Sequence, residues 1–389
     1  MIKIQKLNDI SSEGLKHFPQ DRYEVASEFN NPHGIILRSF KMHDMELADS
    51  VKAIARAGAG VNNIPVDKCS EKGIVVFNTP GANANAVKEL VLTGMLLSAR
   101  DVIGGNAWVK TIADKGDEVP KLVEKNKKQF AGTELKGKKL GVIGLGAIGA
   151  LVANSAYSLG MEVVGYDPFI SVDAAWSLSK FIQRENALES LLAESDYISL
   201  HVPLNDKTRG YINSEKLNQM KTGVKILNFS RGGLVDNAAL KEAVGQGKVG
   251  SYVTDFPDAD VIGMDKVIPL PHLGASTKES EMNCAVMAVK QLRDYIENGN
   301  VKNSVNFPDC DMGVSETNRI VIANRNIPNM VSQITKVFAD EKENISDMIN
   351  KHKGKYAYNI IDVDEDISES LVNNLKQIDG VLMVRVLEK

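Results

Sequence analysis

Short apolar runs alternate with amphipathic stretches along the first 100 residues. The runs GIILRS, VKAIARAG and GIVVFN have the length of buried strands, whereas the apolar positions of AVKELVLTGMLLSAR follow helical spacing. This alternation is typical of a parallel sheet covered by helices. The pattern therefore predicts an α/β domain at the start of the chain.

A second series of strand-like runs follows between Leu140 and Pro271. LGVIG, MEVVGYD, DYISLHV, VKILNFS, GSYVTDF and KVIPLP recur there, and helical stretches such as NALESLLAES separate several of them. The pattern predicts a mostly parallel sheet with helices on both faces. The Lys-rich segment from Asp101 to Lys139 is interpreted either as a surface crossover into this second domain or as one solvated helix and loop.

The last part of the chain changes its pattern. ESEMNCAVMAVKQLRDYIENG predicts a long amphipathic helix that ends at Gly299, and turn residues follow it. The remainder predicts the order βαββαβ of a ferredoxin-like unit. We expect three domains: residues 1–100 with 296–310 for the substrate, 101–295 for a dinucleotide, and 316–389 for regulation.

Composition narrows the functional classes. Among 389 residues, 43% are hydrophobic and 25% charged, and the net charge is -4, so neither a nucleic acid nor a membrane is the expected partner. The three cysteines form no CxxC pair, which argues against disulfides and a thiolate metal site, and no metal is expected. The first residues lack the pattern of a signal peptide. We expect a cytoplasmic protein that acts on small molecules.

A glycine-rich turn after the strand LGVIG is the most informative motif. Gly144 permits a tight turn, Gly146 lets the backbone approach a pyrophosphate, and Gly149 lets the following helix pack closely. Asp167 ends the next strand, where a carboxylate can bind the hydroxyls of an adenosine ribose. Because no Arg or Lys follows Asp167 directly, the sequence predicts NAD rather than NADP.

Three further residues stand at predicted strand ends, where ligands gather in open α/β sheets. His201 and His272 are candidate acid/base groups, with a structural histidine as the alternative for each. Arg231 ends the run VKILNFSR, and its guanidinium suits a substrate carboxylate. The alternative is an arginine that caps a helix or forms a structural salt bridge.

The chain resembles the D-2-hydroxyacid dehydrogenases over nearly its whole length. The motifs that carry the resemblance are LRS (37–39), GAGVNNI (58–64), FNTPGANANAVKEL (77–90), KKLGVIGLGAIG (138–149), GYDP (165–168), SLHVPL (199–204), NFSRGGLVD (228–236), TDFP (254–257), PHLGAST (271–277) and SVNFP (304–308). The resemblance implies a Rossmann-type doubly wound parallel sheet domain, a flavodoxin-like α/β substrate domain and a C-terminal ferredoxin-like α+β (ACT) domain. It also implies oxidation of 3-phosphoglycerate by NAD in serine biosynthesis.

The resemblance assigns catalytic and cofactor roles. Arg231 holds the substrate, His272 is the acid/base, and a carboxylate pairs with that histidine; Asp260 is ranked over Asp258 for this role, although the family usually has the longer Glu. The residues expected to contact the cofactor are Gly144, Gly146, Ala147, Ile148, Gly149, Asp167, His201, Pro203, Ser230, Arg231, Asp255, His272 and Gly274.

Substrate residues follow from the same resemblance. Backbone N–H groups of Ala59 and Gly60 would bind the carboxylate, Asn83 would lie near the substrate, and Arg38 with Ser39 would approach the phosphate. An ordinary surface ion pair is the alternative for Arg38. Asn62 and Lys88 depart from the family pattern, and nothing in the sequence explains them.

In the ACT domain, the resemblance places an amino-acid effector such as L-serine at Asn324, Asn326 and Asn344. A domain that only mediates assembly is the alternative, since Asn329 stands where the family commonly has Gly. The family forms homodimers or homotetramers, and both stay open. Two other functions also stay open: a dehydrogenase of glycerate, lactate or 4-phosphoerythronate, and an NAD-sensing corepressor that binds peptides.

Overall fold

The structure is a computed structural model that describes residues 1–387. Two compact units divide the chain: Met1–Ala82 together with Lys278–Lys389, and Asn83–Thr277. The second unit is one continuous stretch of chain, whereas the first is assembled from both ends. The last two residues of the predicted 316–389 domain lie outside the described residues.

The first unit contains a five-stranded parallel sheet in the order β2-β1-β3-β4-β5. Its central strands are buried on both faces, which explains their continuous apolar runs. The order is that of flavodoxin-like sheets, as the resemblance implied. The strands are β1 (Ile2–Leu7), β2 (Tyr23–Ala26), β3 (Gly34–Leu37), β4 (Ala53–Arg56) and β5 (Val75–Phe77), and the helices of this part are α1 (Ser12–Leu15) and α2 (Val66–Glu71).

The second unit contains a seven-stranded parallel sheet. Its strands are β6 (Lys139–Ile143), β7 (Glu162–Tyr166), β8 (Gln183–Arg184), β9 (Tyr197–Leu200), β10 (Val224–Asn228), β11 (Val249–Thr254) and β12 (Val267–Pro269). They pair in the order β12-β11-β10-β9-β6-β7-β8. The direction of winding reverses between β6 and β9, so the loops after these two strands flank the crevice where doubly wound folds bind ligands.

Nine α-helices lie in the described part of this unit. They are α3 (Ala84–Ala99), α4 (Val102–Lys110), α5 (Val119–Asn126), α6 (Ala147–Ser158), α7 (Val172–Ser177), α8 (Leu188–Glu194), α9 (Ser214–Gln219), α10 (Asn237–Gly245) and α11 (Ala259–Ile262). The Lys-rich segment predicted as a crossover or a single helix instead folds into α4, α5 and two 3₁₀ turns, Ala113–Glu118 and Lys127–Phe130. None of the residues in these four elements is buried.

The C-terminal part confirms the predicted βαββαβ order. Its elements, after α12 (Lys278–Asn298), are β13 (Asn318–Arg325), α13 (Met330–Asp340), β14 (Ile345–Lys353), β15 (Tyr356–Val363), α14 (Glu369–Lys376) and β16 (Val381–Leu387). The antiparallel sheet has the order β14-β15-β13-β16. One face packs on α13 and α14, and the other contributes to the same core as α12.

The unit boundaries differ from the predicted ones at two helices. Helix α3 packs on α6, β10 and β11 and therefore belongs to the second unit, although residues 1–100 were assigned to the substrate domain. Helix α12 packs on α1, β3, β4 and β5 and belongs to the first unit rather than to residues 101–295. From the sequence alone, a long connecting helix can be assigned to either of two neighbouring domains, because its apolar face does not show which domain it packs against.

Side chains of the C-terminal sheet cap the end of α12. Arg385 donates to the carbonyl oxygens of Tyr295 and Ile296 at 2.5 and 3.1 Å, and the Tyr358 hydroxyl donates to the carbonyl of Gly299 at 2.9 Å. The Arg385 guanidinium also lies 4.4 Å from the centre of the Tyr295 ring. These donors bind carbonyls in the last turn of α12 and just beyond it, where a helix leaves acceptors unpaired; the Tyr295 carbonyl also accepts from the Gly299 N–H.

A second arginine completes this capping. Arg319 is 1% exposed and forms a bidentate ion pair with Asp362 at 2.6 and 2.9 Å. Its Nη1 also donates to the carbonyl oxygens of Asn298 and Gly313, at 2.7 and 2.8 Å. A buried guanidinium needs such a full set of acceptors. The C-terminal sheet is thereby fixed to the last turn of α12.

Candidate active site

The glycine turn after β6 has the geometry that its spacing predicts. Gly144 has φ +91°, and a Cβ there would lie 2.5 Å from the carbonyl oxygen of His201. A Cβ on Gly149 would lie 2.0 Å from the carbonyl oxygen of Gly144, so the helix can approach the turn only without a side chain. Around Gly146 a Cβ would meet open space, which leaves room for a ligand against the backbone. The N–H groups of Ala147 and Ile148 begin α6 at this point.

Asp167 lies directly after β7 and braces the glycine turn. Its Oδ2 accepts from the backbone N–H of Leu145 and its Oδ1 from that of Phe169, both at 2.8 Å. The side chain is half-buried and forms no ion pair with the described residues. The carboxylate is therefore held at the predicted ribose position without a cation that would attract a 2′-phosphate.

The structure separates the two candidate histidines by their surroundings. The His201 ring lies 2.8 Å from the Ser199 hydroxyl, and its Nδ1 is buried without a hydrogen-bond partner among residues 1–387. Burial lowers the pKa of His201 to about 4, so the ring is neutral near neutral pH. His201 thus supports the back of the glycine turn and is a poor acid/base group. Pro203, two residues on, accepts from Thr208 at 2.6 Å.

The end of β10 presents Arg231 on a braced loop. Asn228 is 1% exposed; its amide donates to the Arg231 carbonyl at 2.9 Å and to the Tyr252 hydroxyl at 3.1 Å, and its Oδ1 accepts from the N–H of Ser230. The Ser230 hydroxyl donates to the carbonyl of Leu200 at 2.6 Å, which ties the loop to β9. The exposed Arg231 side chain forms no ion pair within residues 1–387.

Phe256 brings Arg231 and His272 to one place. The exposed His272 ring lies 4.4 Å from the Phe256 ring, centre to centre, and the Arg231 guanidinium lies 6.0 Å from the same ring. Sequence reasoning named the arginine and the histidine but missed the phenylalanine between them. The only available signal was its place after the strand GSYVTDF.

Asp255 supports the loop that carries His272. It is 1% exposed, and its Oδ2 accepts from the backbone N–H of Gly274 at 2.9 Å. Burial raises the pKa of Asp255, while the Gly274 N–H and the nearby His272 oppose that rise. Its Oδ1 is buried without a partner among the described residues. A buried carboxylate oxygen with no donor is a place for a hydrogen bond from a ligand.

The predicted pairing of Asp260 or Asp258 with His272 is not present in the structure. Asp258 instead caps α11: its Oδ1 accepts from the N–H groups of Asp260 and Val261, and its Oδ2 accepts from the Asn237 amide at 2.8 Å. Asp260 is exposed in the first turn of α11. Within residues 1–387 neither carboxylate hydrogen bonds to His272, since Asp258 is engaged as the N-cap of α11 and Asp260 is exposed.

In the first unit, Arg38 and Ser39 follow β3 on a loop that Asn8 organises. The Asn8 Oδ1 accepts from the N–H groups of Arg38 and Phe40 at 3.3 and 3.2 Å, and its amide donates to the Ser39 hydroxyl at 3.0 Å. Asn8 has φ +71°, a conformation that asparagine tolerates. The Arg38 guanidinium pairs with Glu281 of α12 at 2.7 Å.

The remaining substrate residues are divided between the units. Ala59 and Gly60 lie half-buried after β4, and the Asn78 amide donates to the Ala59 carbonyl at 2.6 Å. Asn83 belongs to the second unit, where it precedes α3 without a side-chain capping bond. Asn62, for which the sequence offered no reason, accepts at its carbonyl from the His43 ring at 3.0 Å.

The three candidate effector residues do not meet within one chain. Asn324 is fully buried, with its amide bonded to the Arg325 carbonyl and its Oδ1 to the Asn359 amide. Asn326 lies close by, just beyond β13, and its amide donates to a loop carbonyl. Asn344 precedes β14 at the opposite end of the sheet. About six residues of strand separate it from Asn324, which is about 20 Å.

Across residues 1–387, no helix is both long and apolar enough to cross a bilayer. The same residues contain no group of three or more His, Cys, Asp or Glu side chains arranged to hold a metal ion. The three cysteines are buried as free thiols.

Residues 92–274 match the family model described as D-isomer specific 2-hydroxyacid dehydrogenase, NAD binding domain. The chain is 32% identical to the D-3-phosphoglycerate dehydrogenase of Haemophilus influenzae, over 94% of this chain and 89% of that protein. It is 38% identical to the enzyme of the same name from Methanocaldococcus jannaschii over 68% of this chain. The chain spans about half the length of the latter and of the Archaeoglobus fulgidus enzyme, 49% and 54%.

Among solved structures, the chain is similar to the NAD⁺-bound 3-phosphoglycerate dehydrogenase of Entamoeba histolytica. The TM-score is 0.60 at 28% sequence identity, over 78% of this chain and 98% of that one. A protein of Thermus thermophilus is similar at 27% identity with a TM-score of 0.62, over 78% of this chain and all of that one.

Proposed function

The chain belongs to the family of D-isomer specific 2-hydroxyacid dehydrogenases, and we propose that it oxidises D-3-phosphoglycerate at C2 to 3-phosphohydroxypyruvate. The observation that carries the proposal is the meeting of Arg231 and His272 on the Phe256 ring, beside a buried Asp255. Oxidation of a 2-hydroxy acid needs a cation for the carboxylate and a group that takes the hydroxyl proton, and both candidates approach the same Phe256 ring. In the family this reaction serves serine biosynthesis.

The second unit fits NAD as the cofactor. Gly146 leaves the backbone open to a pyrophosphate, Asp167 is held where ribose hydroxyls would lie, and the Asp255 Oδ1 offers an unpaired acceptor. NAD, when bound, accepts the hydride from C2. Because no cation within residues 1–387 pairs with Asp167, we expect NAD to bind more tightly than NADP. Equal affinities in fluorescence titrations would refute this preference.

His272 would take the proton of the C2 hydroxyl as the hydride leaves. The ring is exposed and tilted against Phe256, and it forms no hydrogen bond within residues 1–387 that a substrate would have to break. Asp255 accepts from the Gly274 N–H and so holds the backbone of the loop that carries the His272 ring. We assign Asp255, rather than Asp260, as the carboxylate that acts on His272.

Arg231 would bind the substrate carboxylate and the C2 oxygen. Its guanidinium forms no ion pair with another described residue, and the Asn228 amide fixes its backbone. A planar fork of donors suits a carboxylate in two-point contact. The same positive charge stabilises the alkoxide character that develops at C2.

The family resemblance assigns further residues to the substrate. Arg38 supplies a guanidinium for a phosphate, and the loop around Ser39 is held in place by Asn8. Backbone N–H groups of Ala59 and Gly60 would bind carboxylate oxygens, and Asn83 of the second unit is assigned to the same substrate.

One observation favours a second candidate, an unphosphorylated D-2-hydroxy acid such as glycerate or lactate. Arg38, the residue that would select a phosphate, already has a carboxylate partner in Glu281 at 2.7 Å. Arg231 and His272 would act identically on such a substrate.

The effector proposal requires two chains. Since Asn344 lies about 20 Å from Asn324 along the strands, the three asparagines can share one ligand only across two C-terminal sheets. We propose L-serine as this ligand and a homodimer or homotetramer as the assembly.

The first experiment measures NADH formation at alkaline pH, which favours release of the proton, with 3-phosphoglycerate, D-glycerate and D-lactate in parallel, with and without L-serine. We expect turnover of 3-phosphoglycerate and inhibition by serine. Turnover of only an unphosphorylated acid would overturn the substrate assignment and retain the chemistry. No turnover of any of the three would contradict the proposed function and favour a binding protein.

A further inference from the structure

The guanidinium of Arg38 has a resident counter-ion. Its Nη1 lies 2.7 Å from Oε1 of Glu281, and the two side chains are 39% and 45% exposed. Arg38 directly follows β3, and Glu281 lies in the first turn of α12. The two residues are distant in sequence, so the ion pair is a product of the fold and not of a local motif.

Both partners stand on backbone that is held in place. The Asn8 amide fixes the loop of Arg38. The far end of α12 is capped by Arg385 and Arg319, so the helix that carries Glu281 is anchored at its last turn. The partial positive charge at a helix N-terminus also favours a carboxylate in the first turn. The ion pair is therefore the resting arrangement.

We propose that Glu281 is a specificity-determining residue, the counter-ion that a phosphorylated substrate has to displace from Arg38. The inference rests on the proposed function. A phosphate that approaches this guanidinium brings up to two negative charges beside a carboxylate, and like charges a few ångströms apart repel. A substrate without a phosphate has no such competition. Glu281 thus weakens the binding of phosphorylated substrates only, and leaves the chemistry at C2 unchanged.

The test compares E281Q with E279Q. Glu279 lies in the same turn of α12, is exposed and forms no ion pair within residues 1–387, so its substitution makes the same change in net charge. For E281Q we expect the KM for 3-phosphoglycerate to fall about two- to fivefold, the range of half-exposed ion pairs, with kcat and the KM for D-glycerate unchanged. E279Q should alter neither KM.

Two kinetic results would overturn the proposal. A higher KM for 3-phosphoglycerate in E281Q would mean that Glu281 orients Arg38 for the phosphate. An equal decrease in E279Q would mean that the general charge of the surface, and not this ion pair, sets the affinity.

A second measurement does not depend on turnover. Arg38 is labelled with phenylglyoxal and its modified peptide is quantified by mass spectrometry at increasing concentrations of inorganic phosphate. We expect phosphate to protect Arg38 in E281Q at a concentration about two- to fivefold lower than in the wild type. Equal protection would contradict the role of Glu281 even in an active enzyme. A wild type that fails to oxidise 3-phosphoglycerate refutes the proposed function alone.

Discussion

Two arginines follow buried parallel strands in this chain, Arg231 after β10 and Arg38 after β3. In each case an asparagine amide holds the loop: Asn228 bonds to the Arg231 carbonyl, and Asn8 accepts from the Arg38 N–H. Asn228 is 1% exposed, whereas Asn8 is exposed. Arg231 has no carboxylate partner within residues 1–387, whereas Arg38 pairs with Glu281.

The comparison shows that two arginine loops held by an asparagine in a similar way can have different roles. Arg231 is held through its carbonyl by the buried Asn228 and forms no ion pair within residues 1–387, which suits a group that must meet a carboxylate in every turnover. Arg38 stands on an exposed loop and is neutralised at rest, which suits a group that distinguishes substrates. The four substitutions below test this comparison.

Arg231→Gln should have the largest effect. We expect kcat/KM to fall about 10²–10³-fold, equivalent to about 3–4 kcal/mol, because a donor to the developing charge at C2 is lost. The decrease should be equal for 3-phosphoglycerate and D-glycerate, measured as initial rates of NADH formation. A loss confined to one substrate would remove the distinction between the two arginines.

Asn228→Ala should reduce stability more than catalysis. The substitution removes the buried amide N–H donor from which both the Arg231 carbonyl and the Tyr252 hydroxyl accept. We expect a loss of about 2–3 kcal/mol in the free energy of unfolding, or about 5–10 °C in the midpoint of thermal unfolding. An unchanged midpoint would show that the buried hydrogen bonds of Asn228 do not distinguish the Arg231 loop from the Arg38 loop.

Arg38→Gln should affect only phosphorylated substrates. We expect the KM for 3-phosphoglycerate to rise about tenfold, equivalent to about 1.4 kcal/mol, because a charge-assisted hydrogen bond at a half-exposed site is lost. The KM for D-glycerate should stay constant in the same assays. An equal rise for both substrates would place Arg38 with Arg231 as a general substrate ligand.

Asn8→Gly should have the smallest effect. Glycine accommodates the φ of +71°, so the variant loses the hydrogen bonds without backbone strain. Since water replaces these bonds at an exposed site, we expect a change of only about 0.5–1 kcal/mol in unfolding free energy and about a twofold rise in the KM for 3-phosphoglycerate. Destabilisation as large as in Asn228→Ala would mean that the two loops are braced equally.

Local patterns predicted the features that local physics determines. The spacing of Gly144, Gly146 and Gly149 assigned a separate task to each glycine, and a Cβ placed at each position gives the expected result. The strand ends at Arg231 and His272 were found because apolar runs mark buried strands and parallel strands end at one edge. The βαββαβ order of the C-terminal part followed from the same periodicity.

Features that depend on distant contacts were missed. Glu281 of α12 pairs with Arg38, which lies far away in the sequence after β3, and no local pattern signals that ion pair. The role of Asp258 was misjudged although a signal existed, because an Asp before a short helix is a usual N-cap. The role of Asn228 was also missed. A polar residue at the end of an apolar run is expected to be buried, and a buried amide needs specific hydrogen-bond partners.

The capping of α12 by Arg385 has a consequence for how the chain folds while it is synthesised on the ribosome. The stretch 83–277 is continuous, so its seven-stranded sheet can form as soon as that stretch leaves the ribosome. The five-stranded sheet packs on α12, and α12 is capped by Arg385, so the final packing of this sheet uses segments that follow residue 277. At usual rates of translation, the roughly 300 residues between Ala82 and Arg385 represent about 15–60 s. We therefore expect residues 1–82 to reach their final packing later than residues 83–277, although they precede them in the sequence.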